Sequence, residues 1–253
     1  MAGLEVNPGL QRLVDYQKII MTTIPDELLQ RKKKQFQLMT DRWVWSNMLA
    51  EKVLIFGGNS ALCGNSKLTL NDFLEWDWIG APWTAMKKRG EGPFGLGGSG
   101  GISLRSKSAM LDAIEYEMAG VPLAKKAEKE LNLGQEDVFF VSRLKAMNEK
   151  QFFINGRSTE YKIAPPEVTK IFASSGGWVN DTVLAASMTL PEAESIARET
   201  FLSYCLELKT IFPSLHDPGC FGAKPDPNKC AVSICALRGT VLNPNQERRK
   251  GGC

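Results

Sequence analysis

Val53-Leu54-Ile55-Phe56-Gly57-Gly58 is the stretch that fixes the reading of this chain. Four consecutive apolar residues closed by two glycines are too short for an ordinary helix. They predict a strand of the buried, parallel type that ends in a loop. Upstream, residues 8–50 read as helix. Pro25 stands at a first helical position, with Asp26 and Glu27 in the first turn, where carboxylates favour the helix dipole. Leu28, Leu29, Phe36, Met39, Trp43 and Leu49 can form its apolar stripe. Downstream come a polar loop (59–67), a short helix (69–76) and a strand at Trp78-Ile79-Gly80. Residues 84–101 are glycine-laden and read as a functional loop. Ile102-Ser103-Leu104-Arg105 reads as a further strand, and Ser106 as the cap of a helix reaching Met118. Helices follow at 136–147 and 191–208, with a loop over 172–178. Strands interleaved with helices make the class α/β.

The 253 residues read as one domain: a helical lead-in (1–50), an α/β core (51–220) and an irregular tail (221–253). With 43% apolar and 23% charged residues, the chain can bury a core without disulfides. The net charge of +3 is too small for a dedicated nucleic-acid binder. Its one dense basic run, Arg31 to Lys34, reads as a solvated helix face, and Arg248-Arg249-Lys250 falls in the tail, whose last dozen residues read as disordered. No apolar stretch is long enough to span a membrane, and residues 1–11 do not read as a signal peptide. Of the six cysteines none forms a C-x-x-C pair, so there is no zinc pattern. Cys63 and Cys205 lie among apolar neighbours and are expected to pack as small hydrophobes. Cys220, Cys230 and Cys235 suit either one disulfide or free thiols.

Three motifs fail on context. Gly95-Leu96-Gly97-Gly98-Ser99-Gly100 has the G-x-G-x-x-G spacing, but no strand precedes it to aim a helix N-terminus at a pyrophosphate. Gly58 to Gly64 is one residue too long for a P-loop and has Asn65 where the lysine belongs. No G-x-S-x-G elbow exists to partner the lone histidine, His216.

What remains is a set of segments in a fixed order. Leu54-Ile55-Phe56-Gly57-Gly58-Asn59-Ser60-Ala61-Leu62-Cys63 comes first, and Asp72-Phe73-Leu74-Glu75-Trp76-Asp77-Trp78-Ile79-Gly80-Ala81-Pro82-Trp83 second. Gly100-Gly101-Ile102-Ser103-Leu104-Arg105 and Glu136-Asp137-Val138-Phe139-Phe140 complete it. In order and spacing this set resembles a fungal glycosyltransferase-like domain family of unknown function, over roughly residues 38–175. The resemblance implies a GT-A-like open mixed sheet flanked by helices. It also implies transfer of a sugar from a nucleotide-sugar donor to a glycan or other hydroxyl acceptor, with a divalent metal (manganese or magnesium) on the diphosphate.

By that resemblance Asn59 stands where the family carries a metal-binding aspartate, and His216 is the late histidine of the metal site. An amide oxygen can ligate a hard cation but brings no charge. Glu136 and Asp137 are the catalytic acids, Asp137 being the general base. Asn59, Ser60, Asp77, Trp83, Gly100, Gly101, Ser103 and Arg105 line the donor and acceptor sides. The family carries on the order of a hundred further residues upstream, so part of the nucleotide-binding half is expected to be missing.

Each residue has a plainer reading. Glu136 and Asp137 could be helix N-terminal acids that favour the dipole. Asp77 could hydrogen-bond a sugar or cap a local loop. Trp76, Trp78 and Trp83 could stack on a sugar ring or fill a core. Arg105 could hold phosphate or form a salt bridge with Asp137 or Glu136. Two functions are therefore carried forward: a glycosyltransferase, and a degenerate, non-catalytic relative that binds a glycan or a protein. The family's setting implies the Golgi lumen; the chain as given, without an anchor, implies the cytoplasm.

Overall fold

The computed structural model describes residues 8–29, 38–58, 60–83, 95–120, 135–150, 153–154, 157–158, 160–175, 182–187 and 195–211. The chain begins with α1 (Pro8–Asp15), α2 (Asp26–Leu29) and α3 (Arg42–Ser46), then β1 (Lys52–Phe56) and β2 (Ser60–Leu62). A 3₁₀ turn (Leu70–Phe73) leads to β3 (Trp78–Ala81), β4 (Ser99–Ser106), α4 (Lys107–Met118) and α5 (Glu136–Lys150). After the two-residue strands β5 (Phe153–Ile154) and β6 (Arg157–Ser158) come α6 (Pro166–Phe172), β7 (Ala173–Ser175), β8 (Ala185–Ser187), α7 (Ser195–Tyr204) and α8 (Glu207–Ile211).

The class is mixed α/β, but the central sheet differs from expectation. Its order is β1-β4-β3 and both pairings are antiparallel, with Leu54 opposite Leu104 and Ile79 opposite Leu104. The apolar run at 53–56 suggested a parallel strand because it has no polar face. The structure shows why it has none: Val53 and Ile55 pack on the helical side of the sheet and Leu54 on the other. Parallel pairing occurs between β7 and β8, in a second sheet of order β2-β8-β7. The central strand β4 begins at Ser99, so the last part of the expected glycine loop is strand. Residues 84–94 lie outside the described residues. The lead-in is broken into short helices rather than continuous, and the expected loop at 172–178 begins as the end of α6 and β7.

Three layers result. On one face of the central sheet, α3, α4 and α5 close a core around Trp45, Trp78, Met110, Phe140 and Leu144. On the other face, Ile79, Ile102 and Leu104 pack against Phe73, Phe172 and Leu184. A third cluster joins Ala61, Val183, Phe201, Leu202 and Leu208, holding α7 and α8 beside β2. Each joint has a local cause. Asp41 caps α3 by accepting from the Trp43 amide at 2.9 Å. Asp72 closes a capping box with Thr69 at the 3₁₀ turn. Glu51 accepts from the amide and hydroxyl of Ser108 and its carbonyl accepts from the Lys107 amide, which fixes the start of α4.

The expectation for Cys63 and Cys205 is corrected. Both are buried as anticipated, but they form a disulfide. The bridge spans 142 residues and pins the end of β2 to the junction of α7 and α8. Around it Glu207 accepts from the Gly64 amide at 3.0 Å, and Asn65 donates to the Tyr204 carbonyl at 2.8 Å. Closing so long a loop removes about 5 kcal/mol of denatured-state freedom in the chain-entropy description.

Candidate functional site

The start of β4 is where the site segments meet. The Gly57 amide and the Ser60 hydroxyl both donate to the Gly101 carbonyl, at 3.1 and 2.9 Å. This ties the loop after β1 to the glycine stretch. The Gly100 amide donates to Asp137 Oδ2 at 2.9 Å, which ties that stretch to the first turn of α5. The β1 loop, the glycine segment and the acid pair therefore share one corner of the molecule. Gly100 is required there. A Cβ on it would run into the Glu136 carboxylate and lie 2.9 Å from Arg105 Nη2 and 3.1 Å from Asp137 Cβ. The preceding Gly97 and Gly98 have φ of 83° and 81°, left-handed backbone that a side chain would strain. Their conformation makes a tight turn against Trp78, which donates from Nε1 to the Gly98 carbonyl at 3.1 Å. A turn, not a cofactor, accounts for that part of the G-x-G pattern.

The two acids have separate jobs. Glu136 makes a two-point pair with Arg105, Nη1 to Oε2 at 2.7 Å and Nη2 to Oε1 at 2.9 Å. The guanidinium is fully buried, donates from Nε to Ser103 Oγ at 2.8 Å, and lies over the Trp78 ring with 4.1 Å to its centroid. Arg105 and Glu136 thus form the salt bridge that was one of the open readings. The Arg105 guanidinium is held inside the protein by these contacts, and both Glu136 oxygens are engaged. Asp137 is different. It keeps partial exposure, and its two oxygens accept from the backbone amides of Gly100 and Val138. Burial is the largest influence on it and raises its pKa. The Glu136 charge adds to the rise, while the two amide hydrogen bonds and Arg105 oppose it. A carboxylate held this way keeps lone pairs on both oxygens for a further donor.

Asp77 does not join this corner. One oxygen accepts from Ser106 Oγ at 2.6 Å and the other from the Lys162 amide at 2.9 Å, with Lys52 Nζ 3.6 Å away. It clasps the far end of the sheet, where Lys52 faces Ser106. That end lies at least four residues of strand, roughly 13 Å, from the Phe56–Ile102 pair beside the glycine turn. The capping role expected of the Ser106 side chain is likewise replaced, because its hydroxyl serves Asp77 and accepts from Lys52. Trp78 is core, and Trp83, half-buried, donates to the Leu96 carbonyl at 3.0 Å. Ser103 is buried and positions Arg105. Asn59 and His216, the expected metal ligands, lie outside the described residues, as do Cys220, Cys230 and Cys235. No group of three or more His, Cys, Asp or Glu side chains able to hold a metal occurs among the described residues.

Sequence reasoning missed the aromatic support of Arg105 and the contributions of Lys52 and Lys162 to the Asp77 clasp. The one available signal was the pairing of Arg105 in a strand with an acid opening a helix. A separate cavity of about 550 Å³ opens on another side of α5, with Arg42, Glu117, Phe139 and Arg143 in its lining, so it is not part of this corner. No helix among the described residues is long and apolar enough to cross a membrane.

Neither the curated proteins nor the solved structures give a significant match to the chain. A family model does: the one described as protein of unknown function (DUF5672) matches residues 18–184. The matched span holds the whole central sheet, the glycine turn, Arg105 and the acid pair. It covers well over half of the chain, and the chain therefore belongs to the DUF5672 family.

Proposed function

We propose that this chain is a glycosyltransferase-like protein of GT-A type, in which Asp137 accepts the proton of an incoming hydroxyl. The observation that carries the reading is the state of Asp137. It is a partly exposed carboxylate whose pKa burial raises, and two backbone amides hold it at the corner where the β1 loop and the glycine segment meet. A general base works best when its pKa lies nearer the working pH than that of an ordinary aspartate. In the proposed step the acceptor oxygen bonds to the anomeric carbon of a nucleotide-sugar. The bond from that carbon to the diphosphate oxygen breaks, the nucleoside diphosphate leaves with the electron pair, and the hydroxyl proton passes to Asp137. Glu136 and Arg105 act as positioning residues that hold the first turn of α5 against Gly100.

The divalent metal of the resemblance would rest on Asn59 and His216, beyond the described residues. Of the described groups at the corner, Glu136 and Arg105 are committed to each other, while Asp137 accepts from two amides and keeps lone pairs for a further donor. A second reading is favoured by that same commitment of groups: a non-catalytic relative that binds a glycan or protein partner.

Thermal melting with manganese plus uridine or guanosine diphosphate separates the two, because a ligand that binds only the native state raises the melting temperature. A rise that needs both metal and nucleotide supports the transferase reading. Transfer assays with nucleotide-sugar donors then test the base. Asp137→Asn is expected to lower turnover at least 100-fold while leaving the nucleotide-dependent melting shift in place. Unchanged melting with every nucleoside diphosphate overturns the proposal in favour of the binding module.

A further inference from the structure

We infer that the outer edge of β1 is a self-association surface, on which a second copy of this chain adds its own β1 in antiparallel pairing. The Gly57 amide bonds to the Gly101 carbonyl directly opposite it, and this sets the phase of the β1–β4 ladder. Val53 and Ile55 turn their amides and carbonyls toward β4, and Lys52, Leu54 and Phe56 turn theirs outward. No strand pairs with that outward edge among the described residues. The edge lacks the usual protection of proline, bulge or projecting lysine. Its one charged residue, Lys52, folds its ammonium inward to the Trp76 carbonyl at 2.8 Å and Ser106 Oγ at 2.7 Å. Val53, Leu54 and Ile55 are only half-buried although apolar on both faces, and Phe56 is 64% exposed.

A second copy satisfies this edge in one register. Centred on Leu54, antiparallel pairing sets Leu54 against Leu54, Lys52 against Phe56 and Val53 against Ile55. Every outward amide and carbonyl is then used, about six hydrogen bonds in all. No like charges meet, which would be destabilising directly opposite each other, and Val53 of each copy faces Ile55 of the other. The two central sheets become one continuous sheet through the twofold axis. The pairing is independent of any activity at Asp137.

The full chain is measured by sedimentation equilibrium from about 1 to 200 μM, together with hydrogen exchange at both ends of that range. A monomer–dimer equilibrium is expected, with the amides of Leu54 and Phe56 gaining at least tenfold protection at the high end. Leu54→Pro removes an outward amide without touching the β1–β4 ladder, since proline is tolerated at an edge position whose N–H faces solvent. It is expected to give a monomer with an unchanged circular dichroism spectrum. Phe56→Lys alters an exposed side chain and gives the edge the projecting lysine that it lacks. It is expected to weaken the dimer at least tenfold, and it carries the test should Leu54→Pro fail to fold. A monomer at every concentration overturns the inference. So does a dimer that Phe56→Lys leaves intact, or one in which the Leu54 and Phe56 amides exchange as fast as in the monomer.

Discussion

Replacing Glu136 with glutamine tests the central joint of the structure. Arg105 is the cation that Glu136 pairs with in that joint, its guanidinium is fully buried, and Glu136 supplies both oxygens of the two-point pair. Removing one partner of a buried pair costs about 3–5 kcal/mol, because the remaining charge is left without compensation. Glu136 is 15% exposed, and its glutamine replacement retains one acceptor, so the lower end, about 3 kcal/mol, applies here. For a chain of this size that corresponds to a fall in melting temperature of about 6–12 °C. Urea titration followed by circular dichroism measures the loss. The double variant Glu136→Gln, Arg105→Met removes the orphaned charge and is expected to recover roughly half of it, so the two sites are strongly coupled. If Glu136→Gln melts within about 2 °C of the parent, or if the two substitutions are simply additive, the buried pair does not hold α5 to β4 as described.

Further outcomes follow from the same geometry. Gly100→Ala is expected to destabilise the fold by about 1–3 kcal/mol in chemical denaturation, since the new methyl meets the Glu136 carboxylate and Arg105. Asp137 has a folded-state pKa above its unfolded one, so the native state holds more protons between the two values. Stability therefore falls as pH rises through that window and is level above it; Asp137→Asn should abolish this slope in melts taken across acidic pH. Asp72 has the opposite sign: hydrogen bonds from Thr69 lower its pKa, so its contribution is present above the unfolded value and lost as pH falls through the folded one, and Asp72→Asn should remove that acid-side loss. Cys63→Ser is expected to cost about 2–5 kcal/mol in non-reducing denaturation and almost nothing further once reductant is present.

Local patterns were readable in the sequence where one element sufficed. The apolar run at 53–56, the strand at 102–105, the helix opening at Glu136 and the first turn at Asp26 all appear as expected. Strand direction was not readable, because a run that is apolar on both faces is equally consistent with a parallel strand between helices and an antiparallel strand between two packed layers. The disulfide was missed for a related reason. Cys63 and Cys205 are 142 residues apart, and only the packing of α7 and α8 beside β2 brings them together. At the candidate site, the meeting of the β1 loop, the glycine segment and the acid pair agrees with the order of motifs. The place of Asp77 does not, since an antiparallel sheet sends the start of β3 to the end opposite the start of β4.

The adjacent acids of α5 show how neighbouring identical chemistry divides by surroundings. In sequence, Asp137 was the preferred general base with Glu136 beside it, and both could have been dipole-favouring acids. The longer side chain of Glu136 reaches across to the Arg105 guanidinium, which is fixed by Ser103 and flattened against Trp78, and is committed there. Asp137 is too short for that reach and turns to the Gly100 amide. There burial and the neighbouring Glu136 charge disfavour its ionised form, and the two amides and Arg105 offset this only in part, so its pKa is raised. Structural load has therefore moved to one acid and proton affinity to the other. Such separation of two carboxyl environments is the arrangement that lets one group hold a site together while its neighbour exchanges a proton. Exchanging the pair, Glu136→Asp with Asp137→Glu, should undo both roles at once. The shorter acid can no longer span to Arg105, the longer one overfills the space against Gly100, and both the stability and the pH slope assigned to Asp137 should be lost together.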